Sequence, residues 1–202
     1  MGSPTSEKFW YTKDMIPLDF TIKTERLLLR CLELKDAELV MEVGKISDFT
    51  NGMTWDPHKS FWTAIEHIGS NRQSWIKGVD YTFSIDMDEQ HVGRLGMYPL
   101  SGGTWKEGDW VLGYWLHPDF QGKGILTEAA LAALDFAFKK LRVKRMLATH
   151  VHWNDKSGAV MQRLGMRHTK TDPKGFKKHG KEYEQLEYEI TKEEWLDNNS
   201  NH

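Results

Sequence analysis

Apolar residues change their spacing several times along this chain, and the changes predict an alternation of strands and helices. Glu25 to Glu33, centred on Leu27-Leu28-Leu29, reads as an opening strand. Leu39, Val40 and Val43 then make one stripe, which predicts a helix over Glu33 to Ser47. After turn signals at Asn51-Gly52 and Asp56-Pro57, apolar positions recur at Phe61, Ile65, Ile68, Trp75 and Ile76. That is helical spacing, ending near Gly78. Tyr81 to Met87 and Val92 to Tyr98 read as strands joined by a hairpin turn at Asp88-Glu89-Gln90, without the glycine such turns favour. Trp110 to Leu116 is another strand. It stops at His117-Pro118, because proline offers no ladder donor and restrains the residue before it.

Helix returns from about Gly124 to Leu141, with Leu126, Ala130, Leu134, Ala137, Phe138 and Leu141 along one face. Arg145 to Val151 reads as a short buried strand, and Ser157 to Leu164 as a short helix stopped by Gly165. Met166 to Thr171 and Tyr183 to Ile190 close the pattern as strands, followed by a helical turn or two at Glu193 to Leu196. The order predicts an α/β (α+β) fold, a mixed sheet covered by helices. No repeat, low-complexity tract or linker breaks it, so a single continuous domain is expected.

Composition narrows the function classes. A chain of 202 residues fits one domain with a substantial core. The formal net charge of −2 argues against general attraction to nucleic acid or membranes, and no specific nucleic-acid partner is expected. No run of 18 apolar residues exists and no basic-then-apolar leader opens the chain, so neither a membrane span nor a secretory signal is expected. Cys31 is the only cysteine; it excludes an intramolecular disulfide and points to a reducing, cytoplasmic setting. Met1-Gly2-Ser3-Pro4-Thr5-Ser6 matches the loose myristoylation pattern at Gly2, but Pro4 stiffens the segment, and a small-residue leader is the plainer reading.

The chemistry concentrates in Trp115-Leu116-His117-Pro118-Asp119-Phe120-Gln121-Gly122-Lys123-Gly124-Ile125-Leu126-Thr127-Glu128. A strand feeds a glycine-rich turn that opens into an amphipathic helix. The first turn of a helix presents unpaired N–H groups and the positive end of the dipole, and Gly122 and Gly124 let backbone approach a ligand closely. Together they make a pyrophosphate cradle, with Lys123 as a supplementary charge. A Walker loop is excluded because Gly124, not Ser or Thr, follows Lys123; a dinucleotide fingerprint is excluded because Thr127 stands where its third glycine belongs. A glycine-rich helix entry with no ligand is the plain alternative.

A second constellation lies some thirty residues on, at Val151-His152-Trp153-Asn154-Asp155-Lys156-Ser157. With Gly113-Tyr114-Trp115-Leu116-His117-Pro118, Gln121-x-x-Gly124, Thr127-Glu128-Ala129, Asn154-x-x-Ser157 and Arg163-Leu164-Gly165-Met166, the chain resembles the GCN5-related N-acetyltransferase (GNAT) superfamily. Within it, the chain is similar to the RimJ/RimL-like ribosomal-protein alanine acetyltransferase branch, which Glu25-Arg26-Leu27-Leu28-Leu29-Arg30 and Thr191-Lys192-Glu193-Glu194-Trp195 also resemble. The resemblance spans about Thr24 to Leu196, leaving residues 1–23 as an N-terminal extension.

That resemblance implies a mostly antiparallel sheet flanked by helices, splayed between the strands ending at about Leu116 and Val151. It implies acetyl-CoA as acyl donor and no metal. The strand ending at Leu116 would pair with pantetheine; the amides of Gln121, Gly122, Lys123, Gly124, Ile125, Leu126 and Thr127 would hold the pyrophosphate. Asn154 would bond the pantetheine arm, or serve as a turn residue. Ser157 would sit near the thiol, or cap the short helix. Two departures stand out: Leu126 replaces a small residue of the motif, and Val111 replaces the glutamate this branch often carries, which leaves a coenzyme-A-binding module without catalytic activity as a further alternative.

Acetyl transfer needs a neutral amine, stabilisation of the oxyanion and a proton for the leaving thiolate. Direct attack in a ternary complex is expected, since an acetyl-enzyme would require Cys31 in the opening strand. Tyr114 and Ser157 are the candidate groups near sulfur. Asp109 is the candidate replacement base, with Glu107, His117, His150 and His152 as further choices. The pair His150/His152 could mark a metal, although two histidines alone are poor ligand evidence. The amine acceptor, a protein N-terminus (a ribosomal protein among the possibilities) or a small molecule, should meet the first two helices, their loop and the final hairpin. Trp55, Trp62 and Trp75 would wall that groove or pack the core. Lys170 to Lys181, with five lysines and one aspartate, reads as a solvated hairpin loop or a contact for an anionic surface. A monomer or a homodimer is expected.

Overall fold

The computed structural model describes residues 15–100 and 106–199, so the Gly2 and Ser6 pattern lies outside the described residues. The strands are β1 (Thr21–Lys23), β2 (Leu27–Cys31), β3 (Tyr81–Met87), β4 (Gln90–Pro99), β5 (Asp109–Leu116), β6 (Arg145–Val151), β7 (Arg167–Lys178) and β8 (Lys181–Thr191). The helices are α1 (Ala37–Val43), α2 (Phe61–Ile76), α3 (Ile125–Lys140), α4 (Asp155–Arg163) and α5 (Lys192–Asn199). All eight strands form one sheet in the order β1-β2-β3-β4-β5-β6-β8-β7, antiparallel throughout except for the β5/β6 pair. This is the mixed, mostly antiparallel α/β architecture expected from the sequence.

α3 buries its apolar stripe, including Ala130, Ala133, Leu134 and Ala137, in the main core with Leu95 and Met97 of β4 and Leu112 of β5. Side chains alternate across a strand, so Arg94, Gly96, Gly113 and Trp115 belong to the opposite face. There Val40 of α1 and Ala64 and Ile68 of α2 make a smaller cluster, with Trp115 packed against it.

β5 and β6 pair only where Asp109, Trp110 and Val111 face Arg145, Met146 and Leu147. Beyond Val111 the two diverge, while β5 stays paired with β4 through Leu116 and β6 stays paired with β8 through Val151. The sheet thus opens as a V at its centre, with one edge of β5 facing the gap.

Several elements depart from the expected ranges, each for a local reason. α1 starts at Ala37 rather than Glu33, because Asp36 turns inward to accept from the Glu33 amide and from Arg30. α4 starts at Asp155, two residues before the predicted Ser157, because the Asn154 side chain is its cap. The hairpin at Asp88-Glu89 forms without glycine, both residues taking left-handed φ of 50° and 64°. Asp and Glu tolerate this at a modest cost where the turn twist demands it.

Lys170 to Lys181 keeps the solvated hairpin expected of it, but as strand rather than loop. It is a long β7/β8 hairpin turning at His179-Gly180, and its lysines are mostly paired. Lys174 and Lys177 reach Glu182 at 3.1 and 3.0 Å, and Lys170 reaches Asp172 at 2.8 Å. Lys178 donates to the carbonyls of Thr50, Met53 and Trp55, tying the hairpin to the loop before α2. Among the described residues, no helix is long and apolar enough to cross a membrane.

Candidate active site

The site grows from the point where β5 ends. The chain passes through a 3-10 turn at Pro118–Phe120, then through Gly122 and Gly124 at φ of 76° and 75°, and enters α3. These angles strain any residue with a Cβ, so both glycines are required by the backbone. Gly124 is the cap of α3 and brings no side chain to its first turn, leaving the amides of Ile125, Leu126 and Thr127 as donors at the positive end of the helix. Leu126 contributes through its amide, so the larger side chain leaves that donor in place.

The loop is braced from outside by residues whose role the sequence did not reveal. Glu128 accepts from the Thr24 hydroxyl at 2.5 Å and from the Arg26 amide and guanidinium at 3.0 and 2.7 Å, while Arg26 also donates to the Lys123 carbonyl. Burial works against ionisation of Glu128, but the bonds from Thr24 and Arg26 outweigh it and hold the carboxyl below its ordinary range. Gln121 ties the loop inward, its amide donating to the Leu116 carbonyl while Lys156 donates to its oxygen. Lys123 turns the other way: its ammonium binds the Asp119 carbonyl at 2.8 Å and lies over Phe120.

A cleft of about 1430 Å³ runs through the V. Leu116, Gln121, Gly122, Gly124, Ile125, Leu126 and Thr127 line it from one side, and Asn154 and Ser157 from α4 on the other, with Tyr114 on its wall. The volume exceeds the roughly 300–1,000 Å³ of ordinary small-ligand pockets and suits a long ligand. Asn154 spends its carbonyl oxygen as cap on the Ser157 amide at 3.3 Å, leaving its NH₂ as a donor toward the cleft. Ser157 is not the cap. Its hydroxyl donates to the Tyr114 oxygen at 3.2 Å, and Tyr114 donates to the Ser157 carbonyl at 3.2 Å. Burial pushes the Tyr114 phenol up to about 12, so it is a proton-bearing donor at neutral pH.

A second cavity of about 300 Å³ adjoins on the α1/α2 side of the sheet. Tyr114, Trp115, Asn154 and Ser157 line both spaces, which makes them the junction. The facing pair Gly96 and Gly113 gives this cavity a floor without side chains. Its walls come from α1, α2, the loop at residues 52–58 and the β7/β8 hairpin, the same elements the sequence assigned to the acceptor side. Of the three tryptophans considered, Trp55 lines it, Trp75 is buried in the core and Trp62 is exposed.

Val111 lines this second cavity, so no carboxylate occupies that position. The titratable groups on the cavity wall are His58, His67, Asp80, Arg94, Tyr98, Tyr114 and His150. Burial first, and Arg94 second, push His58 and His67 down; burial pushes Asp80 up. His150 is buried, and its Nδ1 lies 3.0 Å from the Val151 carbonyl. A carbonyl accepts only, so Nδ1 carries a proton. The His150 Nε2 is buried without a protein partner beside the first turn of α4; a Cβ at Gly158 would stand 2.8 Å from it.

The remaining sequence candidates sit elsewhere. Asp109 lies at the far end of β5, opposite Arg145, where the two strands still pair. It is buried, bound by Arg145 at 2.6 and 3.0 Å and by the Lys106 amide at 2.9 Å, and lines neither cavity. Although burial opposes it, the Arg145 bonds hold the Asp109 carboxyl below its usual range. Such a clasped carboxylate is a structural ion pair, and the expectation of Asp109 as proton acceptor is corrected. His152 falls just past the end of β6, exposed and edge-on to Trp153. His117 accepts from the Asp119 amide, and Glu107 is exposed; neither lines a cavity. Among the described residues, no group of three or more His, Cys, Asp or Glu could hold a metal. Cys31 is buried in the main core.

With this geometry in place, residues 26–167 match the family model described as acetyltransferase (GNAT) domain, and the chain belongs to that family of N-acetyltransferases. Its similarities within the family extend to ribosomal-protein enzymes. The chain is 32% identical over 186 residues to a putative ribosomal N-acetyltransferase, YdaF of Bacillus subtilis, covering 87% of this chain and 97% of that one. It is 26% identical over 154 residues to the ribosomal protein uS5-alanine N-acetyltransferase of Escherichia coli, covering 71% and 76%. The solved structure of RimL, a ribosomal L7/L12 α-N-protein acetyltransferase in complex with coenzyme A, shares the fold with a TM-score of 0.73 at 18% identity, covering 88% of this chain and 98% of that one.

Proposed function

We propose that this enzyme transfers the acetyl group of acetyl-CoA to the α-amine of a protein or peptide N-terminus by direct attack in a ternary complex. The carrying observation is the junction: Tyr114 and Ser157 stand where a long cleft headed by a helix N-terminus meets a small cavity lined by titratable groups. The amides of Ile125, Leu126 and Thr127 would hold the diphosphate of the cofactor, the open edge of β5 would pair with its pantetheine arm as an added strand does, and Asn154 would donate to that arm. Acetyl-CoA supplies the thioester carbonyl.

The chain's own groups divide the remaining work. His150, on the acceptor-cavity wall, would take the amine's proton through an intervening water, since its Nε2 is closed off from direct contact, in place of the carboxylate absent at Val111. Tyr114 donates to sulfur as the carbon–sulfur bond breaks. A thiol titrates near 8.5, well below a phenol held at about 12, so Tyr114 stabilises the leaving thiolate by hydrogen bonding rather than surrendering its proton. Its bond to the Ser157 carbonyl is long enough, at 3.2 Å, to be exchanged.

The choice of an α-amine follows from the demand on the base. An α-amine titrates near 8 and lysine near 10.4, so freeing lysine at neutral pH costs about 3 kcal/mol more. A neutral imidazole serves the first more readily. The relatives named for ribosomal proteins support a protein acceptor. A small amine is the second reading, favoured by the 300 Å³ of the acceptor cavity. Matched peptides, one with a free α-amine and no lysine, the other N-blocked with one lysine, test the proposal. Turnover should be at least about tenfold faster with the α-amine; faster lysine turnover contradicts it.

A further inference from the structure

Two arginines, Arg30 on β2 and Arg94 on β4, stand in one row of the sheet on either side of Ser84, and they are treated very differently. Arg30 is saturated: it meets Asp36 at 2.8 and 2.9 Å and Asp86 at 2.6 Å. Arg94 is only 7% exposed, yet has one long bond, at 3.4 Å, to the Asp36 backbone carbonyl. Its Nε has no partner, and its guanidinium lies over the Trp115 ring at 5.8 Å. The Asp36 carboxylate is already shared between Arg30 and the Glu33 amide. Burial brings Arg94 down to about 10, the mark of a cation left short of compensation.

A buried cation so poorly paired is expensive unless something completes it. Arg94 lines the acceptor cavity with His58, His67 and Asn71, and the Asn71 amide is also unsatisfied at its oxygen. Asp80 shares the cavity but aligns with Tyr98, four residues along β4, roughly 13 Å away along the strand. It is too distant to pair with Arg94. The β4/β5 register sets Arg94 opposite Trp115, the residue after Tyr114, and neighbouring strands are about 5 Å apart. Arg94, Tyr114 and Ser157 all line this one cavity, so a group held by Arg94 shares its space with the junction.

We infer that the acceptor amine carries an anionic group, a carboxylate or a phosphate, which binds Arg94 while the amine lies at Tyr114 and Ser157. In a peptide this is an acidic first or second residue; in a small molecule it is an amino-acid-like acid. The inference rests on the transferase reading of the site and names the acceptor that site selects. A planar guanidinium donates in a fork that a carboxylate or phosphate matches with two bonds and a carboxamide does not.

Equilibrium binding to the coenzyme-A-loaded protein tests it without relying on turnover. Hexapeptides beginning Asp-Ala and Asn-Ala differ by one charge; free aspartate and asparagine form the small-molecule arm. At least one acid should bind tenfold or more tighter than its amide, and the arm that shows the difference identifies the source. In Arg94→Gln that ratio should fall to near one, with Arg94→Lys in between. The wild-type comparison stands even if the glutamine variant does not fold. Equal affinity for acid and amide, binding by none of the four, or a preference surviving Arg94→Gln overturns the inference. Acetylation of the Asn-Ala peptide without any acid preference would leave the transferase reading intact and remove this one alone.

Discussion

Tyr114→Phe should lower kcat by about 10²-fold while leaving the affinity for coenzyme A unchanged. The phenol ring packs against the main core and stays in the variant; only the hydroxyl that bridges to Ser157 is lost. That hydroxyl donates into the first turn of α4, to the Ser157 carbonyl, and burial holds its pKa at about 12. Its donor capacity therefore persists across the whole working pH range, and no alkaline decline below about pH 11 should come from it. Steady-state kinetics on one α-amine peptide, with coenzyme A binding by calorimetry, separates the outcomes. An unchanged kcat removes Tyr114 from the chemistry, and a matching loss of cofactor affinity makes it a binding residue instead.

Arg30→Leu should destabilise the fold by about 3–5 kcal/mol, lowering Tm by roughly 10 °C. Arg30 is the shared partner of Asp36 and Asp86, whose side chains are 1% and 9% exposed, and its removal leaves two carboxylates buried without their cation. The pH dependence should differ in sign between the two proteins. In the wild type, burial opposes ionisation of Asp36, but Arg30 and the Glu33 amide outweigh it and set its pKa below the ordinary value. That contribution is complete above the unfolded carboxylate pKa of about 3.9 and is lost as pH falls through the lower folded value. In Arg30→Leu the unpaired carboxylates gain by taking up protons, so the deficit should shrink between pH 6 and pH 4. Urea unfolding from pH 7 down to pH 3 reads both curves. A deficit that stays constant would place the stabilisation in packing of the arginine stem.

What the sequence discloses is local, and what it hides is mostly long-range. Gly122 and Gly124 were legible because a left-handed residue at a helix entry leaves a glycine signature, and Gly165 because it ends α4 in the same conformation. The apolar stripes of α2 and α3 were legible from spacing alone. Asp109 was misread because its partner Arg145 lies 36 residues away, and only the parallel β5/β6 register brings them together. His150 and His152 looked equivalent by alternation, but β6 ends at Val151, which separates a buried imidazole from an exposed one. The lysines after Thr169 are solvated, as read, but their ion pairs were hidden because Glu182, which pairs two of them, sits beyond the turn. Arg94 carried no signal in the sequence; its shortage of partners depends on Arg30 having claimed Asp36.

The central claim is that the amides at the start of α3 hold a diphosphate while the open edge of β5 receives the arm attached to it. Calorimetry of the full-length protein with coenzyme A and, separately, with pantetheine tests that claim most directly. Coenzyme A should bind at one site per chain, at least tenfold tighter than pantetheine. Equal affinity for the two, or no uptake of coenzyme A by the folded protein, would contradict it.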